Sequence, residues 1–143
     1  MEDQSPPEGK AVRAPAGRAR ILLVEDDPDS LELLAHILEG ASYEVVRVSS
    51  GFQALAKVPE SHFDLVLLDV MLPGVDGFEV CHRLRHDPAT EDIPVVLFSA
   101  KSRDEDVETG MRAGASGYLR KPISRADLLA AVRRQLEGQE GAP

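Results

Sequence analysis

The chain has 143 residues, enough for one domain with a substantial core and too few for two ordinary ones. Its 43% apolar content is that of a soluble globular protein, with no run near the roughly 20 apolar residues of a membrane span. A net charge of −9 works against broad nucleic-acid binding, and the single Cys81 excludes an internal disulfide or a cysteine-rich zinc site. The N-terminus lacks the apolar segment of a secretory signal, so the expected location is cytoplasmic.

Residues 1–19 are rich in Pro, Gly, Ala and charge without periodicity and read as a disordered leader or linker. An aliphatic run over 21–24 predicts the first strand and ends in Glu25-Asp26-Asp27. Asp27 then Pro28 reads as an N-cap and first-turn proline, Leu31, Leu34, Ala35 and Leu38 form one apolar stripe, and Gly40 is the expected stop. A second strand is expected over 44–48. Ser49 or Ser50 would cap a short helix with Phe52, Leu55 and Val58 inward, halted at Pro59. The third strand, over 64–68, runs directly into Asp69 and the Leu72-Pro73-Gly74 turn. Asp76-Gly77 opens a third helix with Phe78, Cys81 and Leu84 inward. A fourth strand over 94–98 ends at Ser99; Ser102 and Glu105 suggest a capping box for a helix through Val107 and Met111. The fifth strand covers 117–120 and is followed by Lys121. Ser124 begins a last helix carrying Leu128, Leu129, Val132 and Leu136. Residues 138–143 read as a polar tail, leaving 20–137 as the folded domain.

Strands alternating with helices predict an α/β fold, a doubly wound parallel sheet whose ligands bind beyond the strand carboxyl ends. Glu25, Asp26, Asp27, Asp69, Ser99 and Lys121 all fall at those ends. Singly, each has an ordinary role: a helix cap, a solvated strand end, a loop hydroxyl, a surface charge. Together they place carboxylates, a hydroxyl and an ammonium on one edge, where hard oxygen ligands suit Mg²⁺ beside an aspartate nucleophile. Three consecutive acids leave the metal pair open between Glu25/Asp26 and Asp26/Asp27.

Four motifs occur in order: Leu23-Val24-Glu25-Asp26-Asp27, Leu68-Asp69-Val70-Met71-Leu72-Pro73-Gly74-Val75-Asp76-Gly77, Phe98-Ser99-Ala100 and Gly117-Tyr118-Leu119-Arg120-Lys121-Pro122. From about residue 19 to 137 the chain resembles a response-regulator receiver domain of two-component signalling, close in pattern to the chemotaxis regulator. The resemblance implies a flavodoxin-like five-stranded sheet in the order 2-1-3-4-5, with a cis Lys121-Pro122 peptide. It implies that Asp69 is the phosphoacceptor and that Glu25, Asp26, Asp69 and the Met71 carbonyl hold Mg²⁺. In the same way, Lys121 would contact the phosphoryl oxygens, Ser99 would sense the phosphoryl group, and Tyr118 would be the aromatic that turns inward.

The implied donor is a histidine kinase or phosphotransfer protein. The implied output is a protein target on the face of helix 4, strand 5 and helix 5, by a monomer or a phosphorylation-dependent homodimer. No separate substrate is expected to be turned over, and no direct nucleic-acid or membrane contact. Ala115-Ser116-Gly117-Tyr118 lacks the acidic pair before the tyrosine that is typical of the DNA-binding subclass. A docking module that never carries phosphate is the alternative. An aspartate-dependent phosphatase would place its nucleophile after the first strand, with a second aspartate where Met71 stands. A flavodoxin-like phosphate loop would not begin Glu25-Asp26-Asp27, which repels phosphate. His82 and His86 have i, i+4 spacing but read as solvated side chains, and Cys81 as a packed apolar residue.

Overall fold

The computed structural model describes residues 18–101 and 103–141, with side chains through residue 137. The element order is β1 (Arg20–Val24), α1 (Pro28–Gly40), β2 (Glu44–Val48), α2 (Gly51–Lys57), β3 (Leu65–Asp69), α3 (Gly77–Arg85), β4 (Val95–Ser99), α4 (Asp104–Arg112), β5 (Gly117–Arg120) and α5 (Arg125–Gly141). The strands form one parallel sheet in the order β2-β1-β3-β4-β5. This is the doubly wound α/β sheet expected from the alternation of strands and helices, in the flavodoxin-like order that the resemblance implies.

The strands are aliphatic throughout because helices cover both faces. Ile21, Leu23, Leu65, Leu67, Val96 and Phe98 pack on one side with Leu34, Ala35 and Leu38 of α1 and Leu128, Val132 and Leu136 of α5. Leu22, Val24, Val66, Leu68, Val95 and Leu97 pack on the other with Ala54 of α2 and Val80, Cys81 and Leu84 of α3. A one-residue register slip would exchange these two faces, so the aliphatic pattern fixes the pairing strongly.

Several local expectations shift. Strands β3 and β4 each begin and end one residue later than predicted, so Asp69 and Ser99 are the last residues of their strands. The ladder carries on past them: the Val70 amide donates to Phe98 O (2.9 Å) and the Lys121 amide to Ser99 O (2.9 Å). Gly40 ends α1 without turning left-handed; that conformation falls to Ser42 (φ 75°), where Tyr43 N donates back to Leu38 O (3.1 Å). In α2 the buried face is Gly51 and Ala54, continued by Val58 in a short 3₁₀ turn, Val58–Glu60, that contains Pro59. Phe52 is 61% exposed and lies across the Gly74 turn instead of pointing inward.

Ser50 is the cap of α2, accepting from Gln53 N (3.1 Å), while the Gln53 carboxamide oxygen accepts from Ser49 N (2.7 Å). In α3 the inward set is Val80, Cys81 and Leu84, with Phe78 only half-buried. The expected cap Ser102 lies outside the described residues. The reach-back that closes α4 comes from Asp106, whose carboxylate accepts from Arg103 N (3.2 Å), not from Glu105. Met111 is exposed, and α5 stays helical to Gly141, into the stretch expected as a tail. No proline interrupts that stretch before Pro143. No helix among the described residues is long and apolar enough to cross a membrane.

Candidate functional site

Strand order reverses between β1 and β3, because the chain leaves β1 for β2 on one side and returns to β3 on the other. The helices following β1 and β3 therefore diverge to opposite faces and leave a crevice at the strand ends. Glu25 follows β1, and Val24 pairs with Leu68, the residue before Asp69. One carboxylate oxygen each from Glu25, Asp26 and Asp69 lies within 4.8 Å of the others. Glu25 (1% exposed) and Asp69 (2%) are buried, and Asp26 is exposed. Asp27 is not in that group. Its carboxylate caps α1, accepting from Ser30 N (2.9 Å), and this bond holds its pKa below the ordinary value.

Each buried acid is tied down. Asp69 Oδ1 accepts from Met71 N (3.0 Å), and Glu25 accepts from Asp27 N (3.1 Å). Lys121 Nζ donates to Glu25 (3.1 Å) and to Asp69 Oδ2 (3.2 Å), and lies 5.3 Å from the centroid of the Phe98 ring. The Lys121-Pro122 peptide that leads out of this position is cis. Burial pushes the Glu25 carboxyl above its ordinary value; the Asp27 amide opposes this, and neighbouring Asp69 adds to it. For Lys121, burial is the largest single influence and disfavours charge, yet Asp69 and Glu25 together outweigh it and raise its pKa. Of the three carboxylates only Glu25 and Asp69 share the one ammonium, so the cluster is under-neutralised. Its oxygen-only donor set fits a hard divalent cation in kind.

Ser99, fully buried at the end of β4, accepts through Oγ from Lys101 N (3.0 Å). Tyr118, half-buried on β5, donates from its hydroxyl to Lys101 O (2.7 Å), and burial raises its phenol pKa. The Met71 side chain is 56% exposed at the rim. His82 and His86 lie with ring centroids 4.1 Å apart and planes tilted by 36° on the exposed side of α3, and belong to no cluster of three metal-ligating side chains among the described residues. Cys81 is buried, its thiol pushed up to about 11.

Two participants were not singled out from sequence. Phe98 has no expected role beyond its strand and the Phe98-Ser99-Ala100 motif; its contact with Lys121 depends on the chain after β5 folding over β4. Lys101 follows Ser99 by two residues, and its backbone links Ser99 to Tyr118, a role that no side-chain pattern encodes.

A family model described as the response regulator receiver domain matches residues 21–133. The DNA-binding response regulator MtrA of Mycolicibacterium smegmatis is 42% identical over 126 residues, 88% of this chain and 54% of the relative. The chain thus spans about half the length of such curated relatives. A putative response regulator from Chloroflexus aurantiacus superposes with TM-score 0.80 at 36% identity, covering 83% of this chain and 98% of that one. The receiver domain of sensor histidine kinase PA1611 from Pseudomonas aeruginosa PAO1 superposes with TM-score 0.78 at 30% identity, over 83% and 98% of the two chains, and holds a magnesium ion in its active-site cleft. Fold, motif order and these likenesses agree: the chain belongs to the response-regulator receiver family and is the receiver domain of a two-component response regulator.

Proposed function

We propose that Asp69 is the phosphoacceptor of this receiver and that Glu25, Asp26, Asp69 and the Met71 carbonyl hold Mg²⁺. The observation that carries this reading is the meeting of three carboxylates at the switch point, two of them buried and sharing Lys121. A carboxylate oxygen of Asp69 attacks the phosphorus of a phosphohistidine; the P–O bond forms, the P–N bond breaks, and the departing imidazole takes up a proton. Bound Mg²⁺ supplies positive charge that shields the nucleophile from the phosphoryl group. Lys121 supplies a second cation for the phosphoryl oxygens, and the Ser99 hydroxyl donates to them. Asp27 stays with α1, its carboxylate already committed to Ser30.

The donor is a histidine kinase or phosphotransfer protein. The output is a protein contact on the α4–β5–α5 face, made by a monomer or a phosphorylation-dependent homodimer, with Tyr118 reporting the state of Ser99. A net charge of −9 favours protein over nucleic acid as this domain's direct partner. The chain catalyses its own phosphorylation and dephosphorylation and turns over no other substrate.

Incubation with Mg²⁺ and acetyl phosphate, followed by intact-mass measurement, tests the reading. One added phosphoryl mass is expected, lost in Asp69→Asn and on chelation of the metal. An unmodified wild-type chain would make this a docking module that never carries phosphate. Labelling that persists in Asp69→Asn would move the acceptor elsewhere.

A further inference from the structure

Helix α4 is anchored unlike its neighbours. Its only buried residue among the described ones is Gly110, whereas α3 buries four and α1 three. A Cβ at position 110 would stand 2.8 Å from Leu97 Cδ1 and 3.1 and 3.3 Å from Cδ2 and Cε2 of Tyr118. The tyrosine ring therefore lies against the bare backbone of α4. Leu97 offers the free end of a flexible side chain, which can swing aside. The ring cannot yield as easily, since its hydroxyl is held by Lys101 O at 2.7 Å. Lys101 N in turn donates to Ser99 Oγ at 3.0 Å. Missing side-chain volume on α4 is thus connected, through one ring and one residue of backbone, to the Ser99 hydroxyl at the end of β4, the strand paired with β3 as far as Asp69.

We propose that Gly110 is a positioning residue. The absence of a side chain there seats Tyr118, and the seated Tyr118 holds Lys101 and Ser99 in the arrangement that receives the phosphoryl group. Volume at residue 110 then sets how tightly the site takes phosphate, although residue 110 touches none of the reacting atoms. The inference rests on the reading of Ser99 as the phosphoryl-sensing hydroxyl. A helix-interior glycine with no such duty would behave oppositely, because alanine is the better helix former and would stabilise the chain.

Gly110→Ala separates the two. With Tyr43→Phe leaving Tyr118 as the sole tyrosine, ring signals in the nuclear magnetic resonance spectrum report seating without any phosphoryl group present. Gly110→Ala should shift those signals and lower affinity for beryllofluoride, measured with Mg²⁺ as a phosphoryl mimic, by about fivefold or more, the lower end of ordinary site-to-site coupling. In a Tyr118→Ala background the same substitution should change that affinity less than about twofold, since the cycle isolates the pair. Unshifted ring signals together with a raised melting temperature, or an equal loss of affinity in both backgrounds, overturns the proposal. Should Gly110→Ala fail to fold, Gly110→Ala with Tyr118→Phe releases the ring from Lys101 and should fold; failure of that pair also overturns it. Wild-type protein that ignores beryllofluoride would defeat the phosphoacceptor reading, while the ring signals still decide the seating.

Discussion

Glu25 shows what the site costs at the level of a single side chain. It is buried beside Asp69, shares Lys121 with it, and has its pKa raised by burial, opposed by the Asp27 amide and reinforced by Asp69. An acid whose pKa is raised on folding binds its proton more tightly in the native state. Its favourable contribution is present below the ordinary value of 4.5 and is lost as pH rises through the higher folded value. Glu25→Gln, which keeps the shape and one acceptor oxygen in place of the two that serve Lys121 and Asp27, should therefore stabilise the metal-free protein at pH 7 by about 1 kcal/mol. Denaturant titration should show that gain shrinking as pH falls through the raised folded value toward 4.5 and vanishing below it, and the same variant should bind Mg²⁺ more weakly. A gain independent of pH would show that burial of charge is not its source. Lys121 has the same sign in a much higher window: its raised pKa contributes stability throughout the range below 10.5, lost only as pH rises past its folded value.

Two turns show how elements are punctuated, and by which residues. Helix α1 leaves its axis through Ser42 at φ 75°, a left-handed conformation in which a Cβ is strained. Ser42→Gly should raise stability by about 1 kcal/mol in denaturant titration, a direct consequence of removing that Cβ. Gly77 is the opposite case. It opens α3, donates its amide to Val70 O (2.8 Å), and a Cβ there would meet Asp69 O at 2.4 Å and Val70 Cα at 2.7 Å. Neither atom can swing away, because both belong to the backbone that carries Asp69. Gly77→Ala should cost about 2 kcal/mol by overpacking and displace Asp69 as well, seen as slower labelling by acetyl phosphate in the variant that still folds. Equal labelling rates would show that α3 can shift without moving the end of β3.

At the scale of the whole molecule, packing is uneven in a way that suits a switch. Strands β1, β3 and β4 are almost wholly buried between α1 and α5 on one face and α2 and α3 on the other. The edge strand β5 is only half-buried, and α4 sits on it through Gly110, with an exposed Arg120–Asp104 ion pair (3.2 Å) at its first residue. Exposed pairs of this kind contribute little. Amide hydrogen exchange should therefore find α4 opening well before α1 or the central strands, at a cost clearly below that of global unfolding. Uniform protection across all five helices would remove the physical basis for a movable α4–β5 face. On the proposed reading of Asp69 as phosphoacceptor, its phosphorylation should alter exchange most in α4.

Much of this protein could be read directly from the order of its residues. Uninterrupted aliphatic runs between helical stripes demand strands covered on both faces, and that demand leads to a parallel sheet with right-handed crossovers. The acids after the first and third runs, with Ser99 and Lys121 after the fourth and fifth, then fall on one edge by topology alone. The shifts concern what lies beyond a residue's immediate neighbours. Phe52 lies outside because the Gly74 turn passes beneath it, and Phe78 yields the core to Val80. The reach-back at the start of α4 comes from Asp106, and Asp27 is separated from Asp26 by the bond its carboxylate makes with Ser30. Hydrophobic periodicity carries information about which face is buried, so it specifies the sheet and its edge. Which carboxylates share Lys121, and that Tyr118 rests on a glycine, depend on distances across elements 50 or more residues apart in the first case and on missing volume in the second, and only the folded chain contains either.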